Sequence, residues 1–235
     1  MKNTVTNERL VRRNARIAQI TMLGGLLVLA VGMYISFRIP EQFGLSLAAL
    51  MVGFALSQIG IYFSNRWGRR PRPDEVLNQA LKGMDSNFTL YHYYKPTQHL
   101  LVGPSGLWVL MPYNQRGRIT YNEAKKRWHQ QGGNAYMKIF AQEGLGRPDL
   151  EVIGEMQNVQ EYMKKVFPER QDFPIHAVAV FTNPKAVVDI PEDVTAPAYS
   201  VPASKLKDFI RKKSKNKPLF SSDLLRIRQE IAPGE

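Results

Sequence analysis

Two uninterrupted apolar stretches dominate the first part of the chain, Ile17 to Phe37 (IAQITMLGGLLVLAVGMYISF) and Phe43 to Phe63 (FGLSLAALMVGFALSQIGIYF), and neither holds a charged residue. Each matches the roughly 20 residues needed to cross the hydrocarbon core of a bilayer. A cleaved signal has a shorter apolar region, about 7 to 15 residues, and no second span behind it. The pattern therefore predicts a transmembrane hairpin, with helices at 17–37 and 43–63 joined by a short external loop at 38–42. Small side chains recur in the second span at Ala49, Gly53 and Ser57, four residues apart, which puts them on one helical face. Such a face lets two backbones approach closely, and its expected partner is the first span rather than a second copy of the chain. Gln58 is polar but uncharged, and the absence of ionisable residues within the spans argues against ion or proton transport.

The flanks set the orientation. Arg9, Arg12, Arg13 and Arg16 precede the first span, and Arg66, Arg69, Arg70 and Arg72 follow the second, whereas the loop between carries only Arg38 and Glu41. Basic flanks are retained on the cytoplasmic side. The expectation is a multi-pass protein of the cell (inner) membrane, with a basic cytoplasmic segment at 1–16, both termini cytoplasmic, and a stiff Pro-containing linker at 64–73.

Beyond the linker the pattern changes to short amphipathic elements. Val76, Leu77, Ala80, Leu81 and Met84 recur at helical spacing after Asp74. FTLYHYY, HLLVG and GLWVLMPY then read as strands of an antiparallel meander, with Arg118 to Tyr121 continuing it after Gly117. A second amphipathic helix follows from Asp149 to Phe167, ended by Pro168, and HAVAVFT reads as a buried strand. A short strand at Tyr199 to Val201, a brief helix over Ala203 to Ile210 and a last helix over Ser221 to Ile231 complete the pattern. Helix, meander, helix, strand predicts one mixed α/β domain at 74–210, followed by a basic tail at 211–235.

Charge sharpens this picture. The chain carries a formal +12, and from Asn65 onward it has 26 Lys and Arg against 18 Asp and Glu, a net +8 that draws this part toward an anionic leaflet. Two clusters concentrate the charge, Lys125, Lys126, Arg127 beside Trp128, and Arg211, Lys212, Lys213, Lys215, Lys217. Both are candidates for gripping phosphate of lipid or nucleic acid, with a solvated surface as the alternative. Cysteine is absent, which removes disulfides, thiolate nucleophiles and Cys-ligated zinc.

The segment HLLVGPSGLWVLMPYNQRGRIT, with Trp128 ten residues beyond Arg118, resembles the nuclease-related domain family, and the resemblance extends over Asp74 to about Ile210. It implies a restriction-endonuclease-like mixed α/β fold: an apolar strand (His99 to Gly106), a Gly-Pro-x-Gly turn, a second strand (Gly106 to Asn114) and a turn closed by Gly117. The family's chemistry uses an Asp before the first strand and a Glu-x-Lys near the end of the second. Here Gln98, Met111 and Tyr113 stand at those positions. A neutral amide, a thioether and a phenol do not hold a hard cation such as magnesium. The resemblance thus implies a degenerate domain that does not cut nucleic acid by the family route.

Other chemistry is sparse in the pattern. His92, His99, His129 and His176 show no metal-ligand spacing, and Gly132-Gly133 and Gly144-Leu145-Gly146 precede no Gly-Lys-Ser/Thr. No catalytic residue, metal or cofactor is expected, and no small-molecule substrate. The sequence points to a membrane-anchored binding or scaffolding subunit with a protein partner in a membrane complex. A membrane-tethered nucleic-acid-binding protein, or a metal-dependent nuclease using Asp74, Glu75 and Glu123, are the alternatives.

Overall fold

A computed structural model describes residues 3–132, 144–170, 172–191, 194–216 and 218–232. The chain divides into two compact units, a helical hairpin over Glu8–Arg72 and a sheet domain that holds residues 3–7 and the described residues from Pro73 onward.

In the hairpin, α1 (Glu8–Arg38) and α2 (Phe43–Phe63) are joined by a 3-10 turn at Pro40–Gln42, and α2 runs on into a π-helical turn at Ser64–Gly68. The first helix is longer than its apolar stretch, so 9–16 is the helical start of α1 rather than a loose basic segment. Glu8 in its first turn and Arg38 in its last suit the helix dipole. Small residues set the contact. A Cβ on Gly25 would lie 3.0 Å from the carbonyl oxygen of Gly53, one on Gly53 2.7 Å from Leu29 Cγ, and one on Gly32 3.0 Å from Ala49 Cβ. Ser46 Oγ donates to the Gly32 carbonyl at 2.9 Å. Ala49, Gly53 and Ser57 thus all face α1, as packing within the hairpin requires. Glu8 and Arg72, at its two ends, pair at 3.7 Å. The outward surface is apolar, with Leu23, Leu27, Tyr34, Phe37, Phe43 and Met51 all more than half exposed.

The sheet domain is built on a six-stranded sheet in the order β1-β2-β3-β4-β7-β9, comprising β1 (Thr4–Thr6), β2 (Thr89–Tyr94), β3 (Thr97–Gly103), β4 (Gly106–Tyr113), β7 (Ile175–Phe181) and β9 (Tyr199–Pro202). The meander is β2-β3-β4, and β4 then pairs in parallel with β7. The expected fourth strand of the meander, β5 (Gly117–Asn122), instead leaves it for a three-stranded sheet with β6 (Arg127–Gln131) and β8 (Ala186–Val188). The departure follows Asn114, Gln115 and Arg116, which carry the chain out of the ladder before Gly117 adopts a φ of +94°.

Alternation along the strands splits the core. Leu107 and Val109 of β4 and Ala177 and Ala179 of β7 face α4 (Pro148–Val166) and α6 (Ser221–Ile231). Trp108, Leu110, Val178 and Val180 face the layer of α3 (Pro73–Ala80) and α5 (Leu206–Lys213). Both faces of β4 and β7 are buried, as expected for the parallel centre of a sheet. Segment 211–235 is not a separate tail: α5 runs through Lys213, and Leu224, Ile227 and Ile231 of α6 lie in the core. The first strand was not legible either, since Thr4–Thr6 is short and gains its ladder only from β2.

Candidate functional site

The three neutral residues Gln98, Met111 and Tyr113 lie on β3 and β4. Gln98 is exposed, Met111 packs half-buried against the core, and Tyr113 is buried. The Tyr113 hydroxyl donates to Glu151 Oε2 at 2.9 Å. Burial first, then the negative charge of Glu151, pushes the phenol far above its ordinary range, so Tyr113 is a neutral donor here. One turn of α4 contributes two carboxylates to this end of β4, Glu151 and Glu155 at i,i+4, with Asp149 close enough to act on the same phenol. Asp149 accepts from the Arg147 guanidinium at 2.7 Å, which holds its carboxyl below the ordinary carboxylate value. Among the described residues, Glu155 Oε2 and Gln115 Oε1 are buried without a hydrogen-bond donor. Among the described residues no three His, Asp or Glu side chains form a group able to hold a metal. What the site can do chemically is accept hydrogen bonds, and Tyr113 and Arg147 already take up Glu151 and Asp149. The i,i+4 pairing of Glu151 and Glu155 was the sequence signal for this carboxylate face, and only the crossover from β4 through α4 brings it to Tyr113.

The nuclease alternative with Asp74, Glu75 and Glu123 gains no assembled site. Asp74 is buried and accepts from the Tyr93 hydroxyl at 3.0 Å, whereas Glu123 sits exposed in the β5–β6 turn, its carbonyl accepting from Lys126 N at 3.2 Å.

Of the basic candidates, Lys125, Lys126 and Arg127 are exposed on the β5–β6 turn and the start of β6, where Asn122 Oδ1 caps Lys125 N at 2.9 Å. Trp128 is not available to stack on a base. It is buried, donates from Nε1 to Ser200 Oγ at 2.8 Å and packs edge-to-face on Tyr121 at 4.9 Å. Strand alternation explains the correction: Trp128 points inward between two outward residues, Arg127 and His129. In the second cluster Arg211 donates to the Gly83 carbonyl at 2.7 Å, and Lys213 lies 5.0 Å over the Tyr199 ring. Lys212 and Lys215 are exposed, and Lys217 lies outside the described residues. The two clusters sit on elements of different layers, the small sheet and α5.

Two of the four histidines are not scattered. His92 and His99 are direct cross-strand partners on β2 and β3, both essentially inaccessible, with Nδ1 atoms 2.8 Å apart. His92 Nε2 meets Asn78 Oδ1 of α3 at 3.1 Å. The Tyr93 ring lies 5.1 Å from His99. His99 is held well below the ordinary imidazole value, by burial and by His92, against the opposing pull of Asp74. A seven-residue separation becomes a contact because a tight turn at Lys95-Pro96 folds one strand directly on the other. Of the others, His129 is exposed and His176 stacks against Trp108 at 4.4 Å, its imidazole lowered by burial.

No family model matches the sequence, and no curated protein or solved structure matches it either.

Proposed function

We propose that the chain is a multi-pass protein of the cell membrane whose hairpin crosses the bilayer twice and carries a degenerate nuclease-related domain on the cytoplasmic side. The domain serves as a catalytically silent binding or scaffolding subunit of a membrane complex. Membrane insertion is supported by the outward face of the hairpin: only 11% and 17% of the most apolar windows of its two helices are buried in the protein. Each Leu or Phe left in water forgoes about 1.5–3 kcal/mol, so this surface requires an apolar cover. Both sequence neighbours of the hairpin, β1 and α3, belong to the sheet domain, which accords with an even number of crossings.

The observation that carries the functional reading is the contrast at β3 and β4. In support, β3 and β4 are joined by the Gly-Pro-x-Gly turn, with a helix and the strand β7 later in the chain, and Gln98, Met111 and Tyr113 stand where the resemblance would put the catalytic residues. A phenol bonded to Glu151 neither ligates magnesium nor activates water.

Purification of the tagged full-length protein from gently solubilised membranes tests the reading. A stoichiometric protein partner is the expected result. Nuclease-sensitive nucleic acid without such a partner moves the assignment to a membrane-tethered nucleic-acid binder, with the exposed Lys125, Lys126 and Arg127 as its contacts. Magnesium-dependent cleavage that disappears in Glu151→Gln overturns the silent-domain reading.

A further inference from the structure

Both segments that border the hairpin in sequence converge on two adjacent residues of β2, His92 and Tyr93. β1 lies in parallel register with β2, Thr6 opposite His92, and Asn7 N donates to the His92 carbonyl at 3.1 Å. The Asn7 side-chain amide donates to the Tyr93 carbonyl at 3.3 Å. From the other border, Asp74 in the first turn of α3 accepts from the Tyr93 hydroxyl, and Asn78 one turn later accepts from His92. Tyr93 has a φ of +63°, a strained conformation for a non-glycine residue that persists only where surrounding contacts enforce it.

We propose that the buried groups Asp74, Tyr93, His99, His92 and Asn78 form a proton-operated latch that fastens α3 to β2, the strand on which β1 is laddered, and so ties down both borders of the hairpin. Asn78 Oδ1 accepts only, so His92 carries its proton on Nε2 and presents a bare Nδ1, into which His99 donates. Two added protons set N–H against N–H at 2.8 Å, and one leaves a buried cation. The charged and titratable groups acting on His99 are His92 across the ladder and Asp74 from α3, and the carboxylate offsets burial only in part. Opening the latch exposes both imidazoles, which then take up protons near the ordinary value of about 6.5. The folded state binds fewer protons than the open one. The latch therefore stays fully closed above that pH and loosens below it, up to about tenfold per pH unit for each proton taken up on opening.

Amide exchange of the full-length protein in lipid bilayer discs between pH 8 and pH 5, corrected for intrinsic rates, tests this. Protection of 4–7 and of 74–81 is expected to fall together below about pH 6.5, while Val109 of β4 and Val178 of β7 keep theirs. His99→Gln, which keeps a hydrogen-bonding group without an imidazole, is expected to flatten the slope. Independently of any variant, imidazole chemical shifts in the wild-type protein are expected to show His99 still neutral below about pH 6.5, the ordinary imidazole value. Protection independent of pH, protection lost uniformly across the sheet, or His99 titrating at the ordinary imidazole value overturns the proposal.

Discussion

The Gly-Pro-Ser-Gly turn joining β3 to β4 ends in a glycine, Gly106, whose place is fixed by packing. Gly106 has a φ of +128°, and a Cβ there would lie 2.2 Å from the Pro174 carbonyl oxygen. That oxygen accepts from Leu107 N at 2.8 Å, the bond that starts the parallel pairing of β4 with β7. Gly106→Ala therefore incurs about 1–3 kcal/mol of backbone strain and forfeits a further 0.5–1.5 or so by displacing the carbonyl, in all about 2–5 kcal/mol. A domain with about 5–15 kcal/mol of total stability feels that as a large fraction of its margin. Urea titration of the full-length protein in detergent, followed by near-UV circular dichroism, reads the loss. Pro104→Ala is the control, because its carbonyl, which accepts from Leu219 N at 3.1 Å, is kept. An unfolding midpoint for Gly106→Ala indistinguishable from that of Pro104→Ala would refute the packing account.

Four further outcomes follow from the contacts. Ser105→Ala leaves the buried indole of Trp108 without the Oγ it donates to at 3.0 Å and is expected to cost about 1–3 kcal/mol in the same titration. Trp128→Ala should cost about 3–5 kcal/mol and Trp128→Phe much less, in thermal melts; a stable Trp128→Ala protein that has lost only partner binding would restore a contact role. Gly53→Leu forces α1 and α2 apart, because even a Cβ sits 2.7 Å from Leu29, and it should lower the melting temperature of the detergent-solubilised protein where Gly24→Leu, with open space around it, does not. Replacing Lys125, Lys126 and Arg127 by Gln should leave co-purifying protein unchanged. If nucleic acid is the ligand, the same variant instead flattens the salt dependence of its binding by about 0.7–0.9 per lost contact.

The hairpin was legible because bilayer length and uninterrupted apolarity are properties of the linear chain, and its packing face because Ala49, Gly53 and Ser57 share a helical period. The last helix, Ser221–Ile231, and the strand at Ile175–Phe181 were equally plain from their apolar spacing. Three short strands were not. β1, β6 and β8 have three to five residues each, too few to show a period, and exist because a longer neighbour supplies their hydrogen bonds.

The candidate sites divide in the same way. The neutral residues Gln98, Met111 and Tyr113 could be read from the sequence, because the absence of a carboxylate needs no coordinates. That Glu151 and Glu155 approach Tyr113, that Trp128 turns inward to Ser200, and that His92 meets His99 beneath Asn78 were decided by the tertiary structure. Membrane-crossing potential and the neutrality of Gln98, Met111 and Tyr113 are written residue by residue. Proximity across a crossover or a strand pair depends on which elements the sheet brings together, and that order is set by burying both faces of β4 and β7 at once.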